Sequence, residues 1–176
     1  LFDRKNKDLA NVLKLESNYY LENLNCNLAL EKIQEALIAL LPSFENMDPS
    51  SNPRMDEIVS DLYLPNILNL KSEAYEQKYR QDSNQVDLYL SLNTINLTLD
   101  IIEEIRTSYL EEESQLLLNK EARAVIDLGI MVTNELFNLT GDSKYLDEAF
   151  RFSEKGKSII LLSALRGLQA ESTINI

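Results

Sequence analysis

The chain has 176 residues, 44% of them apolar, which is enough to bury one core, while four glycines and four prolines are too few breakers for a fold of many short strands. A net charge of −12 repels phosphate backbones and anionic headgroups, so neither nucleic acid nor an anionic membrane surface is an expected partner. Histidine is absent, which removes His–Cys and Ser–His–Asp catalysis and most zinc sites, and an enzyme becomes the last-ranked reading.

The charge is spread evenly, with no acidic tail or basic arm. No apolar run approaches the ~20 residues of a membrane span, and LFDRKNKD lacks the apolar core of a signal peptide. The lone Cys26 has no internal disulfide partner, which fits a reducing, cytoplasmic setting. The chain does not begin with Met, and we expect it to be an excised piece of a longer protein.

Leu9, Leu13, Tyr20 and Leu24 fall on one helical face and predict a first helix over about 7–23. The polar, Asn-rich 22–27 predicts a turn. Ala29, Ile33, Ala36, Leu37 and Leu40 predict a second helix over about 28–41, which Pro42 ends. All four prolines (Pro42, Pro49, Pro53 and Pro65) lie in 42–65, the one loop-rich interval, with a short helix expected within 55–64. Leu64, Leu68, Tyr75 and Tyr79 predict a third helix. After the turn at 81–84, Leu88, Leu92, Ile95, Leu99 and Ile102 predict a fourth, ending near Thr107 beside a run of acids. The fifth has the stripe Leu118, Ala122, Val125, Gly129, Val132, Leu136 and Leu139, closed by Gly141 and Asp142. The sixth covers Tyr145 to about Leu168, with Ala149, Phe150, Ser153, Gly156, Ile160 and Ala164 as its inner face.

These helices superpose as three pairs. The first helices carry Leu13-x2-Glu16-Ser17-x2-Tyr20, Leu68-x2-Lys71-Ser72-x2-Tyr75 and Val125-x2-Leu128-Gly129-x2-Val132. The second carry Ala29-x3-Ile33-x2-Ala36, Ser91-x3-Ile95-x2-Thr98 and Ala149-x3-Ser153-x2-Gly156. A small residue at the fifth place of the first motif lets two helices approach closely, and a small residue on the second helix accepts the contact. The pattern resembles the tetratricopeptide repeat, although pairs two and three are longer by seven or eight residues, about two helical turns. The stretch YLDEAFRFSEKGKSIILLSALRGLQAES, with NLKSEAYEQKYRQ and SYLEEESQLLLNKEARAVIDLGI, is similar to the repeat region preceding the peptidase in bacterial CHAT-domain proteins, over roughly residues 8 to 170. That resemblance implies a regulatory or partner-sensing role and a CHAT domain after Ile176. It carries over no catalytic residue, because the family's His and Cys lie in the following domain.

Other strings carry less. Gly156-Lys157-Ser158 lacks the earlier glycine of a phosphate loop and lies inside a helix, so no nucleotide is expected. Asn96-Leu97-Thr98 and Asn138-Leu139-Thr140 read as chance sequons. Glu111 to Glu113 diverge around a helix and make a poor cation site. No metal or cofactor is expected.

The expected fold is all-α: a tetratricopeptide-like right-handed superhelix of three antiparallel helix pairs. They span about 7–42, 64–107 and 113–168 of one repeat domain (1–170), followed by a tail at 171–176. The expected function is non-enzymatic binding of a protein or peptide on the concave face lined by the first helices. Asn11, Asn18, Lys71, Lys78, Arg123 and Asn134 are its candidate contacts. Residues 159–162 are four consecutive apolar positions in a helix rich in Lys and Arg. Leu162 and Leu165 are therefore expected to dock a downstream domain or a second copy. The alternative is a scaffold whose main contact is with its own downstream domain.

Overall fold

The computed structural model describes residues 5–108 and 112–174, with side chains over 5–106 and 113–159. Among the described residues the protein is all-helical, with no strand: α1 (Lys7–Glu22), α2 (Cys26–Leu40), α3 (Leu64–Asp82), α4 (Gln85–Ser108), α5 (Glu112–Thr140) and α6 (Lys144–Ile174). The chain divides into two compact units, Leu1–Ser108 and Tyr109–Ile176.

In the first unit α1 packs on α2, α2 on α3 and α3 on α4, with a smaller contact between α1 and α3. Asn6 caps α1, its side chain accepting from the amides of Asp8 at 2.7 Å and Leu9 at 3.3 Å. The buried stripe of α1 is Ala10, Leu13, Ser17 and Leu21. Of the expected face only Leu13 is fully inside. Leu9 sits one position off the stripe and is exposed, and Leu24 lies beyond the helix end, where it adopts a left-handed φ of 59°. Asn25 then caps α2, which begins at Cys26, two residues earlier than its apolar stripe suggested. Ala29, Ile33, Ala36 and Leu37 are wholly buried, as their spacing predicts. Each large apolar side chain buried this way contributes roughly 1.5–3 kcal/mol.

The proline-rich segment after α2 is pinned by polar side chains. Lys5 Nζ donates to the carbonyls of Ile38, Leu41 and Phe44 at 2.7–2.9 Å, tying the last turn of α2 to the segment that follows it. Gln34 Nε2 donates to Asn46 O at 2.6 Å, and Asn52 Nδ2 to Thr94 Oγ1 at 2.9 Å. The short helix expected within 55–64 is one 3-10 turn, Met55–Glu57. There Glu57 Oε2 accepts from the Arg54 amide at 2.8 Å and closes the turn locally.

Pro65 stands in the first turn of α3, where its missing N–H costs nothing. Leu64, Leu68, Ser72 and Tyr75 are buried along α3, and Leu88, Leu92, Ile95, Leu99 and Ile102 along α4. Ser91 Oγ donates to the Ser72 carbonyl at 2.9 Å, so α3 and α4 meet at these two small residues.

In the second unit α5 packs on α6. Leu118, Ala122, Val125, Gly129, Val132 and Leu136 are buried, while Leu139 in the last turn is exposed. Gly141, at φ 68°, ends α5 in the left-handed region, which glycine enters freely. The inner face of α6 carries Tyr145, Phe152 and Ile159; of the expected face Phe150 is 67% exposed, Ala149, Ser153 and Gly156 are half-buried, and Ile160 and Ala164 lie outside the residues whose side chains are described. Steps of seven keep Tyr145, Phe152 and Ile159 in line, and Phe150 falls with Leu146 on the outer side. A Cβ at Gly156 would meet Ile126 Cγ2 at 3.5 Å, an ordinary contact that places Gly156 against α5. The helix runs past Leu168 to Ile174, into residues expected to form a tail.

Candidate partner-binding surface

The outer face of α1 is the feature that burial leaves unexplained. Opposite the stripe of Ala10, Leu13, Ser17 and Leu21, the helix presents Val12, Leu15 and Tyr19, which are 52%, 58% and 62% exposed. Steps of three and four align them. Asn11 is exposed and Asn18 half-buried along the same side. The Tyr19 ring meets Tyr20 edge-on at 5.7 Å, which limits its rotation. The flank carries Lys7 and Lys14, whose ammoniums lie 4.4 Å and 5.9 Å from the Tyr63 ring centroid. Lys7 also pairs with Asp61 at 2.9 Å. The result is a helix face with apolar area, an aromatic ring and amide donors and acceptors.

Lys71 is not part of such a surface. It was expected to reach a ligand, but its side chain is fully buried, with Nζ donating to Gln34 Oε1 at 2.9 Å and to the Ser51 carbonyl at 2.7 Å. Burial lowers its pKa to about 7, only partly opposed by the charge of Asp48. Lys71 therefore acts as a peg between α2, α3 and the proline-rich segment. Lys78 is also committed, at 2.7 Å from the buried Asp87 and 3.6 Å from Asp82. The hydrogen bond to Asp87 raises its pKa. Asn11 and Asn18 are thus the first-unit candidates open to a partner. In the second unit Arg123 and Asn134 are both exposed on α5. Leu162 and Leu165 lie outside the residues whose side chains are described.

Cys26 is buried, and burial pushes its thiol pKa up, the opposite of what a reactive cysteine needs. Among the described residues no group of Cys, Asp and Glu gathers as a metal site, and no helix is long and apolar enough to cross a membrane. Thr98 of the first sequon is buried, donating to Thr94 O at 2.7 Å. The residues of this face that were not among the expected contacts are Val12, Leu15, Tyr19 and Tyr63. The first three were visible as a second apolar stripe on α1, offset from the stripe through Leu13. Tyr63 lies 41 residues beyond Glu22, with no local signal tying it to α1.

No protein-family model, curated protein or solved structure matches the chain.

Proposed function

We propose that this chain is a non-enzymatic, peptide- or protein-binding helical repeat module of tetratricopeptide type, the partner-sensing part of a larger cytoplasmic CHAT-type protein. The observation that carries the binding role is the exposed stripe of Val12, Leu15 and Tyr19 on a helix whose opposite side is already fully used in the core. An apolar stripe in water with amide side chains beside it suits a partner that brings apolar anchors and backbone groups. The repeat reading is supported by Ser72 and Ser91 meeting where the motif puts its small residues, and by the contact of α1 with α3 as successive first helices. In this proposal the pairs stack as a right-handed superhelix, and the first helices supply the binding face.

Selection of a displayed peptide library against the chain tests the role. The expected result is a family of enriched peptides whose binding falls at least about tenfold in Asn18→Ala and in Tyr19→Ala, a loss of about 1.4 kcal/mol, with unchanged melting temperature. Enrichment indifferent to both variants would overturn the assignment of the face.

The outer side of α6 favours a second contact. Phe150 and Leu146 stand exposed one turn apart, beside Arg151 and Lys157. In the proposal this helix, continuing through Leu162 and Leu165, docks a downstream domain of the same protein or a second copy.

A further inference from the structure

On the other flank of α1, a groove of about 330 Å3 opens toward α2, lined by Leu9, Leu13, Glu35, Ile38, Ala39 and Met47. Leu13, Ile38 and Ala39 are its buried floor, while Leu9 and Met47 are exposed walls, Met47 at 61%. The Met47 wall is set before anything binds. Its neighbours are fixed by the bond from Gln34 Nε2 to Asn46 O and by the Asp48 amide donating to Asn46 Oδ1 at 2.9 Å. The thioether itself adapts to different shapes. The volume is at the small end of ligand sites, which suits one large apolar side chain better than a whole cofactor.

Carboxylates outnumber ammoniums around the groove, three to two. Glu35 lines it, and the exposed Glu16 and Glu45 come near it through the cations they meet, Lys32 and Lys5. The two neighbouring cations are already engaged. Lys5 serves three carbonyls and pairs with Glu45 at 2.9 Å, and Lys32 pairs with Glu35 at 2.9 Å and lies 3.9 Å from Glu16. An apolar socket with surplus carboxylates on its rim is complementary to an apolar residue between two cations.

We propose that this groove is a socket for one large apolar side chain of a basic peptide segment, with Lys or Arg on each side of that residue meeting the rim carboxylates. The socket is separate from the face of Val12, Leu15 and Tyr19, and it adds to the peptide-binding reading a second contact with its own side-chain and charge preference.

Methyl NMR on the full chain tests it, with three synthetic probes: Gly-Ser-Lys-Phe-Lys-Ser-Gly, the same peptide with Ala for Phe, and the same with Glu for both Lys. The expected result is that only the Lys-Phe-Lys peptide shifts the methyls of Leu9, Leu13, Ile38 and Met47. Glu35→Lys and the exposed, fold-neutral Met47→Ala should each weaken that binding about tenfold. Groove methyls that do not move, or that move equally with the Ala or the Glu peptide, overturn the socket. Shifts confined to Val12 and Leu15 also overturn it while supporting the α1 face, so the two readings fail separately.

Discussion

Lys71 shows how a residue with a surface character is used inside. Its ammonium meets two neutral acceptors, Gln34 Oε1 and the Ser51 carbonyl, in a site closed to water. Burial strips the ammonium of water, and that loss of solvation favours the neutral form. With the folded pKa lowered from 10.5 to about 7, the unfolded chain holds more protons than the folded one between those values. Stability should therefore rise with pH across that window, by a few kcal/mol at most, and this group should add no slope below it. Tyr75, whose phenol burial pushes up, works in the opposite sense only near and above its ordinary range around pH 10. Urea midpoints at pH 7 and about 9.5 should separate in the wild type and draw together in Lys71→Met. An equal separation in the variant places the titration elsewhere. At Leu24, a left-handed φ of 59° in a residue with a Cβ stores strain that glycine would relieve. Leu24→Gly should raise stability by about 0.5–1 kcal/mol, and a lower melting temperature would show that the exposed side chain packs in solution.

α3 and α4 meet at two small side chains, Ser72 and Ser91. Ser91→Leu should destabilise by roughly 1–3 kcal/mol, because the added bulk enters the α3–α4 contact made through Ser72. Gly129→Leu should cost a similar amount in α5, since Gly129 is buried at the corresponding place of the third motif. Thermal melts of both variants check this, and an unchanged curve for Gly129→Leu would remove that position from the helix contact. The same elements show what was legible in the sequence. Stripes that pack on a neighbour close in the chain, such as Ala29–Ile33–Ala36 or Leu88–Leu92–Ile95, were readable from spacing alone. The face of α6 was not, because Leu146–Phe150 and Tyr145–Phe152–Ile159 are both helical spacings and only α5 decides which one is buried. The role of Lys71 was hidden for a related reason: its acceptors lie 37 and 20 residues away in the chain. Residues 55–64 look helical in composition, but local side-chain bonds such as that from the Arg54 amide to Glu57 Oε2 hold part of the stretch as a 3-10 turn.

At the scale of the whole molecule, the first unit contains the α1 face, the groove and the pinned proline-rich segment within Leu1–Ser108, with its own core from four helices. Residues 1–108 expressed alone should therefore give a helical far-ultraviolet spectrum and a cooperative melt, and a non-cooperative loss of signal would show that the unit is not self-supporting. The candidate surface was only partly visible beforehand. Asn11 and Asn18 were foreseen on the first helix, whereas the apolar stripe between them emerged once the opposite side of α1 was seen to be committed to α2 and α3. The central claim is that this outer face receives the partner. The most direct measurement is amide chemical-shift mapping of the full chain titrated with a peptide enriched by selection. The account predicts shifts concentrated on residues 11–19, saturable and lost in Tyr19→Ala. Saturable shifts that leave 11–19 unmoved and cluster on another element would contradict it.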